Sequence, residues 1–214
     1  MYNEIKRQKE RYMSEDIQTQ RQTQQEMMRL RAENASLRKY VERLQQTIRG
    51  LNDLHRSLDS ITPDVDVYNL IHELLNHAIA AVGSENGSLL LLDDDSGELV
   101  FVDVIGASRG KLMNYRLPKG IGVAGDVAEK RQPSLVSDVT MEPTFSPMVD
   151  KHTGLQTKSL LCVPLWDGKR TIGVIEAVNM STERSFDTDD QEVLMLAARL
   201  VSLAIVKAER VQSQ

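Results

Sequence analysis

The sequence has a single cysteine, Cys162, among its 214 residues. One thiol excludes an internal disulfide framework and any zinc site built from several cysteines. The chain also lacks a run of about 18 apolar residues and a charged-then-apolar leader, the features that predict a membrane span or an export signal. Its 41% hydrophobic content is enough for an ordinary folded core. We therefore expect a cytoplasmic protein that does not enter a membrane.

The larger part of the chain, residues 61–214, has no excess of positive charge. Residues 1–60 carry 12 Lys and Arg against 9 Asp and Glu, whereas residues 61–214 carry 14 against 22. Nucleic-acid backbones are bound through clustered cations. A net charge of −8 over residues 61–214 therefore argues against nucleic acid as a partner.

The first sixty residues contain no proline and one glycine, and their apolar residues repeat every seven positions. One set recurs every seven residues at Leu30, Leu37, Leu44 and Leu51, and a second set recurs between them at Asn34, Val41 and Ile48. We call these seven residues the seam. Apolar a and d positions at this spacing predict a coiled coil, with the leucines at d.

The charges beside the seam predict its orientation. Glu26 and Glu33 fall at g, while Arg31 and Arg38 fall at e, so each Glu faces an Arg of a parallel partner in register. Asn34 at an a position favours two strands, because its amide is satisfied best by its own copy. We expect a parallel homodimer. A single solvated helix is the competing interpretation.

Downstream of residue 60, short apolar runs alternate with amphipathic patterns. Helical spacing predicts helices from Val67 to Val82, from Val123 to Lys130 and after Asp187. Strands are predicted at 88–92, 99–105, 114–117, 134–137, 159–166 and 170–178. The dipeptide Asp167-Gly168 predicts a hairpin with a two-residue turn. We expect an α+β fold, an antiparallel sheet with helices on one face.

A polar, lid-like connection is predicted between residues 141 and 158. It contains two hydroxyls four residues apart, Thr153 and Thr157, immediately before an apolar strand. Polar groups at the lip of an apolar sheet predict a small-molecule pocket. No metal site is expected, because His72 and His77 are five residues apart and do not share a helix face at ligand spacing.

Several segments of the larger part have a recognisable pattern. They are Gly87–Asp93 (GSLLLLD), Leu117–Gly125 (LPKGIGVAG), Asp138, Asp150–Pro164 (DKHTGLQTKSLLCVP) and Ile172–Asn179 (IGVIEAVN). From about Thr62 to Glu209 the chain resembles a GAF domain, a small-molecule sensor module. The resemblance is greatest to the GAF domains of cyclic-nucleotide phosphodiesterases and related cyclases. We expect a coiled-coil helix at residues 1–60 and a GAF-like sensor domain at residues 61–211.

In those relatives a nucleotide lies over the sheet beneath the lid. The resemblance implies ligand contacts at Ser88, Ala124, Thr153, Thr157 and Glu176. The cofactor or ligand itself stays open between a cyclic nucleotide and another metabolite.

The chain departs from the family at two places. The Asn-Lys…Phe…Asp-Glu signature of the family reads Asn179, Met180, Phe186, Asp190 and Gln191 here. Methionine cannot make the lysine–aspartate salt bridge that the signature implies. The positions just before Gly106, where relatives carry aromatic and acidic residues that read a purine, are Val104 and Ile105.

Three functions are compatible with these features. The first is a non-enzymatic sensor that binds a small molecule and transmits its state through the dimeric coiled coil to a separate output protein. The alternative is a ligand-free dimeric scaffold that acts by protein–protein interaction. An enzyme is the weakest, because GAF-like methionine-sulfoxide reductases need several cysteines and Cys162 is expected to be a buried, inert thiol.

Overall fold

The structure is a computed structural model that describes residues 1–59, 61–62, 64–179 and 184–212, without the side chains at positions 3, 5–12, 14–17, 19 and 212. The helices are α1 (Tyr2–Asp59), α2 (Val67–Ala81), α3 (Arg109–Leu112), α4 (Gly122–Lys130), α5 (Met148–Thr153) and α6 (Thr188–Gln212). The strands are β1 (Gly87–Leu92), β2 (Leu99–Ile105), β3 (Arg116–Leu117), β4 (Ser134–Val136), β5 (Leu160–Trp166) and β6 (Thr171–Val178). The chain divides into two compact units, Met1–Leu44 and Gln45–Gln214.

The second unit is built on a six-stranded antiparallel sheet, which confirms the predicted fold class. The strand order is β3-β2-β1-β6-β5-β4. The two central strands, β1 and β6, approach closely where Gly173 pairs with Leu91. A Cβ atom at Gly173 would lie 1.9 Å from the carbonyl oxygen of Leu90. Only glycine therefore permits this register at the centre of the sheet.

The predicted β5–β6 hairpin is present, but its turn is longer than the predicted two residues. Trp166 pairs with Thr171, so residues 167–170 form the connection. Oδ1 of Asp167 accepts hydrogen bonds from the amides two and three residues further on, at 2.7 and 2.8 Å. Gly168 has φ +94°. The aspartate side chain thus organises a wider loop than the Asp-Gly pair alone indicates.

Helices cover both faces of the sheet, so the expectation of helices on one face was wrong. The first core lies beneath α2 and α6 and includes Leu54, Leu74, Leu89, Leu161, Ile175, Leu194 and Val201. The second core lies beneath α3, α4 and α5 and includes Leu90, Phe101, Val123, Val127, Cys162 and Val174. Neighbouring residues of β1, Leu89 and Leu90, belong to different cores. Strands that are apolar on both faces need cover on both faces.

The last turns of α1 belong to the second unit. Gly50 is buried and Leu54 is 0% exposed. A Cβ on Gly50 would lie 2.9 Å from Cβ of Ala81, so α1 and α2 cross closely there. Leu51 packs against the first core. This predicted seam residue therefore contacts its own domain, while Ile48 stays 58% exposed.

In the first unit, the seam is exposed along the helix. Leu30, Leu37 and Leu44 are 48%, 56% and 43% exposed, and Asn34 and Val41 are exposed as well. An apolar stripe of this kind fits a coiled coil, and pairing with a second chain stays a prediction. Across the described residues, no helix has the length and apolar character needed to cross a bilayer.

Candidate functional site

A cavity opens between the second face of the sheet, α4 and α5. Its volume is about 80 Å³, and the open mouth brings the empty space to about 740 Å³. Most of the wall is apolar. Polar side chains enter it at Asn86, Ser88, Ser108, Ser146, Asp150, Thr157 and Glu176. An apolar chamber with a few polar groups is the usual form of a ligand site.

Glu176 is the acidic group in the wall formed by the sheet. It lies on β6 directly opposite Ser88 of β1, and the Ser88 hydroxyl donates a hydrogen bond of 3.0 Å to its Oε2 atom. Burial raises the pKa of the Glu176 carboxyl from 4.5 to about 7, against the smaller opposing effect of the Ser88 hydrogen bond. No described lysine, arginine or histidine offsets this burial. A partly buried carboxylate without a cation is stabilised by a ligand that donates N–H groups.

The first turn of α4 supplies hydrogen-bond donors and partial positive charge to the same cavity. Gly122, Val123 and Ala124 line the cavity, and no side chain caps the helix at Ile121. The first amides of a helix have no acceptor within it, and they carry the positive end of the helix dipole. These amides can bind a negatively charged or hydrogen-bond-accepting group of a ligand.

The lid is held together by its own hydrogen bonds. Asp150 accepts from the backbone amide of Thr157 at 2.9 Å and from its hydroxyl at 2.7 Å. The Thr153 hydroxyl donates to the Val149 carbonyl at 2.9 Å and accepts from the Leu155 amide at 3.0 Å. Both threonine hydroxyls therefore stabilise the lid, and a ligand reaches the Thr157 hydroxyl only in competition with Asp150.

Four of the five residues that the resemblance implies come together in the cavity wall. They are Ser88, Ala124, Thr157 and Glu176. Thr153 is buried beside them and is not part of the wall. Four polar wall residues were not predicted, namely Asn86, Ser108, Ser146 and Asp150. Asn86 directly precedes the Gly87-Ser88 motif, which is the one local signal that could have indicated it.

The aromatic groups of the cavity come from other positions than those implied by the relatives. Val104 and Ile105 do line the cavity, as their alignment with ligand-reading positions implies. Phe101 on β2 and Phe145 in the lid supply aromatic rings to the same wall. Phe145 is partly exposed and offers apolar ring surface to a ligand, whereas Phe101 is 1% exposed and forms the floor behind the wall.

The signature residues organise the neighbourhood of the lid. Asn179 has φ +51°, and its Oδ1 atom accepts hydrogen bonds from the amides of Lys158 and Ser159 at 2.7 and 3.2 Å. Its Nδ2 atom donates to the carbonyl of Gln156 at 2.9 Å. Asn179 thus fixes the end of the lid to the end of β6. Phe186 is 3% exposed in the first core.

The salt bridge of the signature is made by an unexpected residue. Met180 lies outside the described residues, but Arg184 donates to both carboxylate oxygens of Asp190, at 2.5 and 2.9 Å. Asp190 also accepts from the Asp187 amide at 2.9 Å, and Asp187 accepts from the Asp190 amide at 3.0 Å. The ion pair and a capping box therefore both fix the start of α6.

Other chemistry has little support in the described residues. They contain no cluster of three metal-ligating side chains. Cys162 is 0% exposed, and burial raises the pKa of its thiol well above the ordinary value. A thiol in that state is a poor nucleophile.

Comparison with known proteins gives the family. A sequence model described as a GAF domain matches residues 64–206. The chain is 32% identical over 160 residues to a dual 3',5'-cyclic-AMP and -GMP phosphodiesterase 11A of Takifugu rubripes, a match that covers 70% of this chain and 18% of the relative. It is 38% identical over 88 residues to the cone cGMP-specific 3',5'-cyclic phosphodiesterase subunit alpha' of Mus musculus, covering 41% of this chain and 10% of that protein.

The fold comparison agrees. The GAF domain of a phosphoenolpyruvate-protein phosphotransferase from Coxiella burnetii superposes with a TM-score of 0.68 at 17% identity, covering 79% of this chain and 98% of that one. The chain spans less than a fifth of the length of the two phosphodiesterases, at 18% and 10%. The chain belongs to the GAF domain family.

Proposed function

We propose that this chain is a non-enzymatic sensor that binds a small molecule in the cavity of its GAF domain. The observation that carries the proposal is Glu176, a partly buried carboxyl in a chamber wall whose hydrogen-bond partner is the neutral Ser88. Such a group is costly in an empty apolar chamber and useful as a recognition group. Binding fits this wall better than catalysis does, since it combines recognition groups with an inert thiol.

The ligand that fits best has two different ends. N–H donors on one side pair with Glu176, and acceptors or an anion on the other side bind the amides at the start of α4. A flat ring between them packs against Phe145. A cyclic nucleotide has all three features, and it is the class that the names of the two phosphodiesterase relatives indicate.

The state of the cavity is transmitted through a parallel homodimer of α1. Support comes from the exposed seam of the first unit and from the charges that flank it. Within the second unit, α1 packs directly on the sensor domain, where Gln46 and Thr47 donate to the last carbonyls of α2 at 3.1 and 3.0 Å. We propose that a separate output protein reads the position of this helix.

Thermal unfolding with cyclic AMP, cyclic GMP and a panel of other metabolites tests the proposal. A ligand present at 100 times its Kd stabilises the folded state by about 2.7 kcal/mol. For a chain of this size that is a rise in Tm of about 5–11 °C. Glu176→Gln should reduce the rise strongly, because an amide cannot replace the carboxylate as an acceptor for two N–H groups. Glu129→Gln, on the exposed face of α4, is the matched control and should keep it.

The outcomes separate two functions. No shift with any compound, together with unchanged protein partners in Glu176→Gln, would overturn the sensor proposal in favour of the ligand-free scaffold. A shift that Glu176→Gln leaves intact would place the ligand outside this cavity.

A further inference from the structure

Asp103 is a buried carboxylate outside the cavity wall. The side chain of Asp103, on β2, is 3% exposed. Its Oδ2 atom is 2.8 Å from Nδ1 of His72 on α2, and its Oδ1 atom accepts a hydrogen bond from Arg109, the first residue of α3. Because carboxylate oxygens only accept, Nδ1 of His72 carries the shared hydrogen. We call these three residues the Asp103 clamp.

The clamp joins the two helical layers of the domain. His72 belongs to the layer of α2 and α6, whereas Arg109 begins the helix that covers the second face. If either partner moved away, Asp103 would remain buried with an incompletely neutralised charge, which is strongly unfavourable. The two helices are therefore held to one another through a group that tolerates little displacement.

The Arg109 end of the clamp adjoins the cavity. Arg109 donates a second hydrogen bond to the carbonyl oxygen of Val104 at 3.0 Å. Val104 and Ser108, the residue before Arg109, both line the cavity. A molecule entering or leaving the cavity therefore acts on residues next to the clamp.

The lid is connected to the same short helix. Lys111 of α3 donates from Nζ to the Thr153 carbonyl of α5 at 2.5 Å. The Nε2 atom of His152 donates to the Lys111 carbonyl at 3.0 Å. The His152 ring also stacks on Tyr115, with centroids 4.5 Å apart and planes inclined by 25°. Displacement of α5 would therefore also displace α3, because these hydrogen bonds join the two helices.

We propose that the Asp103 clamp couples the lid helix α5 to α2 and, through α2, to the end of α1. The physical basis is a two-state contact, with Arg109 and His72 either both on Asp103 or separated from it. The final carbonyls of α2 accept from Gln46 and Thr47 of α1, so the output side of the coupling is also a direct contact. The proposal concerns the chain itself and does not depend on which ligand binds.

Hydrogen exchange of the full chain, measured by mass spectrometry without ligand, tests the coupling. His152→Ala removes the lid's hydrogen bond to Lys111 and the ring stack. We expect it to raise the exchange rate of the α2 backbone by about fivefold in the otherwise unchanged chain. In the His72→Ala background the same change should have less than about a twofold effect, because α2 no longer contacts Asp103. Tyr68→Ala, on the same helix and 81% exposed, is the control background and should preserve the fivefold effect.

Two residues that share no partner normally have independent effects. Equal effects of His152→Ala in the unchanged and His72→Ala backgrounds would overturn the clamp. If His72→Ala also loosens the central strands, Arg109→Lys takes its place: it keeps the positive charge but loses the paired contacts to Asp103 and Val104. Loss of the fivefold effect in Arg109→Lys supports the proposal, and its persistence refutes it. Since no ligand is added, this result is independent of whether the cavity binds a cyclic nucleotide.

Discussion

Replacing Glu176 by glutamine should remove a pH dependence of stability that the wild-type chain carries. The carboxyl has a pKa near 4.5 when it is exposed and about 7 in the fold, because burial disfavours its charged form. Between these values the folded state holds more protons than the unfolded state, so the free energy of unfolding falls as the pH rises. The contribution is fully present below pH 4.5 and is lost above pH 7.

The magnitude follows from the size of the shift. Each pKa unit corresponds to about 1.4 kcal/mol, so a rise from 4.5 to about 7 amounts to about 3 kcal/mol. Glutamine is neutral throughout this range. The free energy of unfolding of Glu176→Gln minus that of the wild type should therefore increase by about 3 kcal/mol between pH 4.5 and pH 8.

Denaturant unfolding at four pH values, at one protein concentration, measures this difference. Trp166 is the only tryptophan of the chain and lies on β5, so its fluorescence reports the GAF domain. Other titrating groups contribute equally to both proteins and cancel. Glu129→Gln should give a flat difference. A difference for Glu176→Gln that stays constant within about 0.5 kcal/mol would refute the desolvation of this carboxyl.

Three further changes test the fold and the proposed dimer. Arg184→Met should lower the free energy of unfolding by about 3 kcal/mol, measured in denaturant, because it leaves the 2%-exposed Asp190 carboxylate without its cation. Gly173→Ala should cost more than about 4 kcal/mol, seen as lost thermal stability, because its Cβ would lie 1.9 Å from the Leu90 carbonyl oxygen. Asn34→Leu should strengthen pairing of α1 and relax its two-chain stoichiometry, measured by sedimentation equilibrium.

Each of these has a result that would contradict it. Lys130→Met breaks an ion pair with Asp126 in which the lysine side chain is 61% exposed, and it should cost less than about 1 kcal/mol. If Arg184→Met lowered the free energy of unfolding no more than Lys130→Met does, the Arg184–Asp190 ion pair would have no special role. An unchanged Tm in Gly173→Ala would contradict the observed register. A purely monomeric Asn34→Leu would contradict the coiled coil.

The sequence predicts the elements of the fold well where apolar periodicity is strong. The helix at Val67 is predicted from its spacing, with Asp66 as a candidate cap from the sequence. In the structure Asp66 is its N-cap, with the carboxylate accepting from two amides of the first turn. The long strands are predicted for the same reason. The short helices α3 and α5, of 4 and 6 residues, are too short to show a helical period. Their share in covering the second face therefore could not be predicted from periodicity.

The position of Thr157 at the lip of the sheet predicted a pocket, but Ser88, Ala124 and Glu176 were predictable only through resemblance. Ser88 and Glu176 are far apart in the chain, and only the pairing of β1 with β6 places them opposite one another. The roles of the threonines depend on Asp150, whose hydrogen bonds exist only in the folded lid. Arg184 takes the place of the missing lysine of the signature, but it stands at another position in the sequence. A comparison of fixed motif positions therefore cannot find it.

Native mass spectrometry of the full chain after incubation with cyclic AMP and cyclic GMP tests the central claim most directly, since it counts subunits and bound molecules together. We predict a dimer that carries up to two nucleotides, and a Glu176→Gln dimer that carries none. Single chains, or dimers that stay free of nucleotide at millimolar concentration, would contradict a sensor that works through paired α1 helices.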